Sequence, residues 1–143
     1  MSVGRTLRAA VAGAVAAGAW AAVEPAIRRA TGGRHTQVRL IGGVVTPDGP
    51  WQEVGLAIHL GNGAAFGVAF AWLGLGGVGQ GILAAEAENT LLWPLCGVVD
   101  RIHPDVRSGV WPALARSRAE LAQEVLGHAV FGAVLGALIP RSR

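Results

Sequence analysis

The sequence has no lysine and no tyrosine, one cysteine and one methionine, and charged residues fill only 15% of its 143 positions. Each scarcity excludes something. A lone Cys96 leaves no internal disulfide to form. The net charge of +3 and the isoelectric point near 11.0 come from arginine alone. These arginines sit at segment ends instead of forming a stripe, which argues against nucleic acid as a partner. Charge is also unevenly distributed, since residues 54–85 hold no Asp, Glu or Arg and are interrupted only by His59, Asn62 and Gln80. A membrane span needs about 20 predominantly apolar residues. The 52% hydrophobic content and mean hydropathy of +0.45 exceed what a soluble globular chain carries. The sequence therefore predicts one all-α domain over residues 1–143, an integral membrane bundle of four transmembrane helices in contact with the lipid bilayer. Abundant Ala, Gly, Val and Arg without Lys point to a GC-rich bacterial genome, and so to a multi-pass protein of the bacterial plasma (inner) membrane.

Arg5 and Arg8 ahead of an alanine-rich run resemble a secretory signal. That run leads directly into Trp20, Glu24 and Pro25, which read as a helix end at a membrane interface. The expectation is a retained first span over residues 6–26, closed by Pro25 and by Thr31-Gly32-Gly33. Its Ala and Gly suit packing against protein more than exposure to lipid. A polar connection follows, in which Val38, Leu40, Val44 and Val45 are expected to form a short interfacial hairpin. Thr46-Pro47-Asp48-Gly49-Pro50 is turn chemistry, and Pro50 with Glu53 suits the first turn of a helix. The second span is predicted over residues 54–75. Gly74-Leu75-Gly76-Gly77-Val78-Gly79 is a tight reversal into the third, over residues 78–99, making the two antiparallel neighbours. It only superficially resembles a dinucleotide fingerprint, having no βαβ context. After a connection containing His103-Pro104 and Trp111-Pro112, the fourth span covers residues 119–139 and stops at Pro140.

Four crossings put both termini on one side, face B, and both longer connections on the other, face A. Arg28, Arg29, Arg34, Arg39, Arg101, Arg107, Arg116 and Arg118 then gather on face A, against Arg5, Arg8, Arg141 and Arg143 on face B. The positive-inside rule makes face A cytoplasmic. Trp20, Trp51, Trp93 and Trp111 near face A and Trp72 near face B are expected to anchor in headgroups.

A charge at the centre of a span costs about 2.5–3.5 kcal/mol on insertion scales, so intramembrane carboxylates should face protein or water. Glu120, Glu124 and His128 recur every four residues and share a face of the fourth helix. His59, Asn62 and Phe66 form a stripe on the second, and Trp20 and Glu24 lie one turn apart on the first. On the third, Glu86, Asn89 and Trp93 align, and Glu88 points about 160° away from Glu86, so only one of the two carboxylates can face the interior. The expectation is a buried cluster of Glu24, His59, Asn62, Glu86 or Glu88, Asn89, Glu124 and His128, opening toward face A. The competing reading is packing: such side chains often only hydrogen-bond neighbouring helices, and Glu120 can sit in interfacial water as a first-turn residue.

Three functions could use the cluster. Carboxylates and imidazoles could pass protons or bind a cation in transport, the protein acting as an oligomer through the Gly63/Gly67 and Gly132/Gly136 pairs. Alternatively His59, Glu124 and His128 could hold a metal ion, or the two histidines a haem, although no known zinc-site spacing is present. A third reading is an accessory subunit of a larger membrane complex, with no chemistry of its own. Catalytic triads and nucleophilic cysteines are unsupported.

Trp20 to Glu24-Pro25 closing the first helix, Trp93-Pro94 late in the third, and Glu124-Val125-Leu126-Gly127-His128 in the fourth resemble, in order, the YagU-like family of small bacterial inner-membrane proteins. The resemblance implies a multi-helix inner-membrane protein and assigns no activity. The chain departs from that pattern in a shorter first connection and in its set of Glu86, Glu88 and Asn89.

Overall fold

The computed structural model describes residues 2–141, and among them every regular element is helical. α1 spans Val3–Thr31, α2 Gln37–Val45, α3 Trp51–Trp72 and α4 Val78–Leu92. A 3₁₀ turn at Trp93–Leu95 bends the chain into α5, Cys96–Ile102; α6, Pro104–Arg107, and a second 3₁₀ turn, Leu114–Arg116, precede α7, Arg118–Leu138. Four helical stretches are long and apolar enough to cross a membrane: Val3–Thr31, Trp51–Trp72, Val78–Ile102 and Arg118–Leu138. Arg143 lies outside the described residues, so its place in the face-B charge count has no structural counterpart.

The first span is longer than expected. Pro25 lies inside α1 instead of ending it, because membrane-spanning helices tolerate a proline where neighbouring groups re-satisfy the freed backbone. The helix runs on until Gly32, whose left-handed backbone (φ 77°) returns its N–H to the Arg28 carbonyl. Arg28 and Arg29 in the last turn suit the helix dipole. The expected interfacial hairpin is instead the helix α2, started by Thr36, whose hydroxyl accepts the Arg39 N–H. Its apolar residues cover the start of α3: a Cβ on Gly42 would collide with the Trp51 carbonyl, and one on Gly55 with that of Val38.

Small residues dictate which helices touch. A Cβ on Gly13 would run into the Gly63 carbonyl, and one on Gly67 into that of Ala9, so α1 and α3 meet backbone to backbone. Gly81 against Gly132, and Gly136 against the Gly77 carbonyl, form the same kind of seam between α4 and α7. Both glycine pairs are thus used within the chain. α1 also packs on α7, giving the spatial order α3, α1, α7, α4. The turn at residues 73–77 reverses as expected, with Gly74 (φ 71°) and Gly77 (φ 83°) in the left-handed region. Yet α3 and α4 form no packed seam, contrary to the expectation that a short loop makes them neighbours.

Polarity is inverted relative to a soluble globule. Leu83 and Leu91 of α4 are 71% and 77% exposed, while Glu120 is 0% exposed. Leu7, Val11 and Val15 form a similar outward stripe on α1. Surplus apolar surface of this kind fits an apolar solvent. The tryptophans divide accordingly. Trp72 is exposed near face B, but Trp20 and Trp111 are buried, correcting their assignment as headgroup anchors, and Trp51 lies under the Arg39 guanidinium, 4.7 Å from its ring centroid.

Candidate functional site

The face-A end of the bundle closes around His35. Its Nδ1 meets Oε2 of Glu120, and its Nε2 lies 2.7 Å from Oε1 of Glu124. A carboxylate oxygen accepts a proton, so both ring nitrogens donate and the ring is an imidazolium. Burial by itself would lower the His35 pKa; hydrogen bonds to the two carboxylates outweigh it and raise the value to about 9. The knot is well supplied with donors. The Arg34 N–H donates to Glu120 Oε1 at 2.9 Å, the Gln37 amide to Glu124 Oε1 at 2.6 Å, and the Gln37 N–H to Glu24 at 2.8 Å. Gln123 donates to the His35 carbonyl at 3.0 Å, and Gly33 has no side chain because Gln123 occupies that space. The imidazolium and the Glu120 and Glu124 carboxylates are thus hydrogen-bonded, as buried charges require, while Gln123 Oε1 is buried without a partner.

Around the knot, the second polar connection forms a lid. Trp111 stacks on His103, 4.6 Å between centroids, and meets His35 edge-on. His103 accepts the Asp105 N–H at Nδ1 and donates from Nε2 to the Arg39 carbonyl, which defines a neutral ring whose pKa burial lowers. Arg39 grips Asp105 with two hydrogen bonds of 2.8 Å. That contact holds the Asp105 carboxyl below its ordinary value.

Glu124 belongs both to the knot and to a cavity of about 220 Å³ beneath it. α7 contributes Glu124, His128 and Phe131; α3 contributes His59, Asn62 and Phe66; α4 contributes Glu88 and Asn89. Trp20 of α1 floors it and α2 roofs it with Gln37, Leu40 and Ile41. At 1.5 Å per residue, Glu124 lies ~9 Å and His128 ~15 Å along α7 from its face-A end. His59 donates from Nε2 to the Ala17 carbonyl at 3.1 Å, and His128 from Nδ1 to the Glu124 carbonyl at 2.9 Å. Each imidazole therefore has its other nitrogen left as an acceptor.

Six of the eight residues expected from the sequence, His59, Asn62, Glu88, Asn89, Glu124 and His128, line this one cavity. Glu24 is buried beside it, held by Gln37. Glu86 lies outside the lining, with Oε2 accepting from Asn89 at 3.4 Å and Oε1 buried without a partner. Glu88 is thus the third-helix carboxylate that faces the cavity. Glu120 is fully buried rather than standing in interfacial water.

Sequence reasoning missed His35, Gln37 and Gln123. Gln123 sits at i+3 from Glu120 and extends the acidic stripe, a signal that was available. His35 and Gln37 reach the site from an irregular connection, for which periodicity offers no guide.

Among the described residues no three His, Cys, Asp or Glu side chains converge as a metal site. His59 and His128 do not present a haem seat either. The Trp20 indole packs on both rings, at 5.3 and 4.6 Å between centroids, in the space that a macrocycle shared by them would need. Gly127 makes room for that indole, since a Cβ there would collide with it. No family model matches the chain, and neither does any curated protein or solved structure. The likeness to the YagU-like family rests on the residues quoted for it.

Proposed function

We propose that this chain is a multi-pass protein of the bacterial inner membrane that moves protons between its arginine-rich face A and the cavity, as one half of a proton-linked transport cycle. The observation that carries this reading is the contact of His35 with Glu120 on one ring nitrogen and Glu124 on the other. An imidazole held between two carboxylates can release a proton to one side and regain it from the other. Glu124 then delivers it to the cavity, where Glu88 and the free nitrogens of His59 and His128 receive it.

Beyond the cavity the path is closed. Phe66 and Phe131 meet edge to face at 5.2 Å, backed by Phe70 and Leu135. From there to face B neither α3 nor α7 has a titratable side chain. A proton-relaying knot at one face and an aromatic seal toward the other support a carrier over an open channel. No second copy is needed for this path, because every group named lies in one chain.

The test uses proteoliposomes with a trapped pH dye, valinomycin for charge balance and an external acid pulse. The protein is expected to speed internal acidification, and Glu124→Gln to remove the increment. Acidification at the wild-type rate in Glu124→Gln refutes the reading.

A further inference from the structure

The ring of helices is open on one side. α3 and α4 are tied by residues 73–77 but do not pack together, and the cavity extends into the gap between them. The gap continues as an apolar groove between Phe70 and Leu73 of α3 and Ala84, Ala87 and Leu91 of α4. Phe66, Glu88 and Leu92 border both regions, so cavity and groove are one cleft, polar in the face-A half and apolar beyond.

We propose that this cleft binds an isoprenoid quinone or quinol from the bilayer, with the ring in the cavity and the tail in the groove. Charge selects the head. The lining contains Glu88 and Glu124 and no arginine, so an anionic phospholipid headgroup would be repelled, and a charged head is costly at this depth. Shape and hydrogen bonding favour a flat ring. Trp20, Phe66, Trp93 and Phe131 offer aromatic faces, and the unengaged nitrogens of His59 and His128 can accept from quinol hydroxyls. The Asn62 amide can donate to a quinone carbonyl.

The short connection between α3 and α4 works against a protein helix in the groove. One lying between α3 and α4 would hold them at twice the usual 8–10 Å packing distance, roughly 16–20 Å apart. At face B the connecting turn is folded back, with the Leu75 N–H on the Phe70 carbonyl and the Gly74 N–H on that of Ala71. A hydrocarbon tail needs no such separation.

Binding of this kind requires no proton movement and is tested apart from it. Decylubiquinone is titrated into the purified protein in nanodiscs and read by tryptophan quenching, since Trp20 and Trp93 line the cavity. Saturable quenching is expected, weakened at least about tenfold by Ala87→Phe, which fills the groove from an exposed position. Leu7→Phe, on the outward stripe of α1, should bind as wild type, with both variants keeping the wild-type circular dichroism. His35→Gln should retain binding while losing proton entry, so the two readings fail separately. Non-saturable quenching, affinity indifferent to Ala87→Phe, competition by phosphatidylglycerol, or disulfide linkage of two copies through Ala87→Cys overturns the proposal.

Discussion

His35 and Glu124, 89 positions apart in the chain, meet at 2.7 Å with both side chains buried. The contact joins a loop between the first two helices to the middle of the last, and so links face A to the cavity. It also ties function to stability, because the imidazolium shared by Glu120 and Glu124 stabilises the fold while it is charged.

That link fixes a pH dependence. The folded value of about 9 stands above the ordinary 6.5, so the contribution is complete below pH 6.5 and fades as pH rises through 9. The shift corresponds to on the order of 3 kcal/mol. Detergent-solubilised wild-type protein should lose thermal stability across that window. His35→Gln should be less stable at pH 6 and nearly flat from 6.5 to 9; a slope equal to that of wild type would remove His35 as its source.

The Arg39 and Asp105 pair holds α2 against the lid. Arg39→Lys keeps the charge but loses the two-pronged contact, and should cost about 1–2 kcal/mol in thermal unfolding at neutral pH. Since the Asp105 pKa is depressed below the usual 3.8, this contribution is present above pH 3.8 and lost as pH falls below it. Wild type and Arg39→Lys should therefore converge in acid, and a gap that persists there would contradict the pairing.

Glycine substitutions separate seam from surface. Gly132→Val drives side-chain atoms into the backbone of α4 at Gly81 and should destabilise by about 1–3 kcal/mol or more. Gly79→Ala and Gly61→Ala face open space and should be neutral or mildly stabilising. Equal melting temperatures for Gly132→Val and Gly79→Ala would show that the α4 and α7 backbones do not meet.

The aromatic seal predicts a gain of function. Phe66→Ala removes one half of the Phe66–Phe131 contact and opens the cavity toward face B. Proteoliposomes with this variant should leak protons faster than wild type. Unchanged leakage would place the barrier elsewhere.

Much of the membrane core was legible because lipid imposes a simple pattern. Long uncharged runs marked the spans, and the four-residue spacing of Glu124 and His128 placed them on one face. The cost of buried charge then made a common cavity with His59 and Glu88 the economical arrangement. What the sequence hid lay in its connections. The loop carrying His35 has no period, and α2 is a short helix whose glycines are read only against the backbone they touch. The gap between α3 and α4 was hidden for another reason: chain proximity predicts pairing, whereas Gly63 and Gly67 of α3 are spent on α1, and Gly81 of α4 with Gly132 and Gly136 of α7 on the α4–α7 seam. Pro25 misled because membrane-spanning helices tolerate a proline where neighbouring groups re-satisfy the freed backbone, and α1 runs through it to 29 residues.

The most direct test of the account compares two carboxylates in one assay of dye-loaded proteoliposomes. Glu124 joins His35 to the cavity, whereas Glu86 lies outside it. With matched protein content and an acid pulse, Glu124→Gln is predicted to fall to the rate of empty vesicles while Glu86→Gln keeps that of wild type. Equal rates in the two variants would contradict the path through His35 and Glu124.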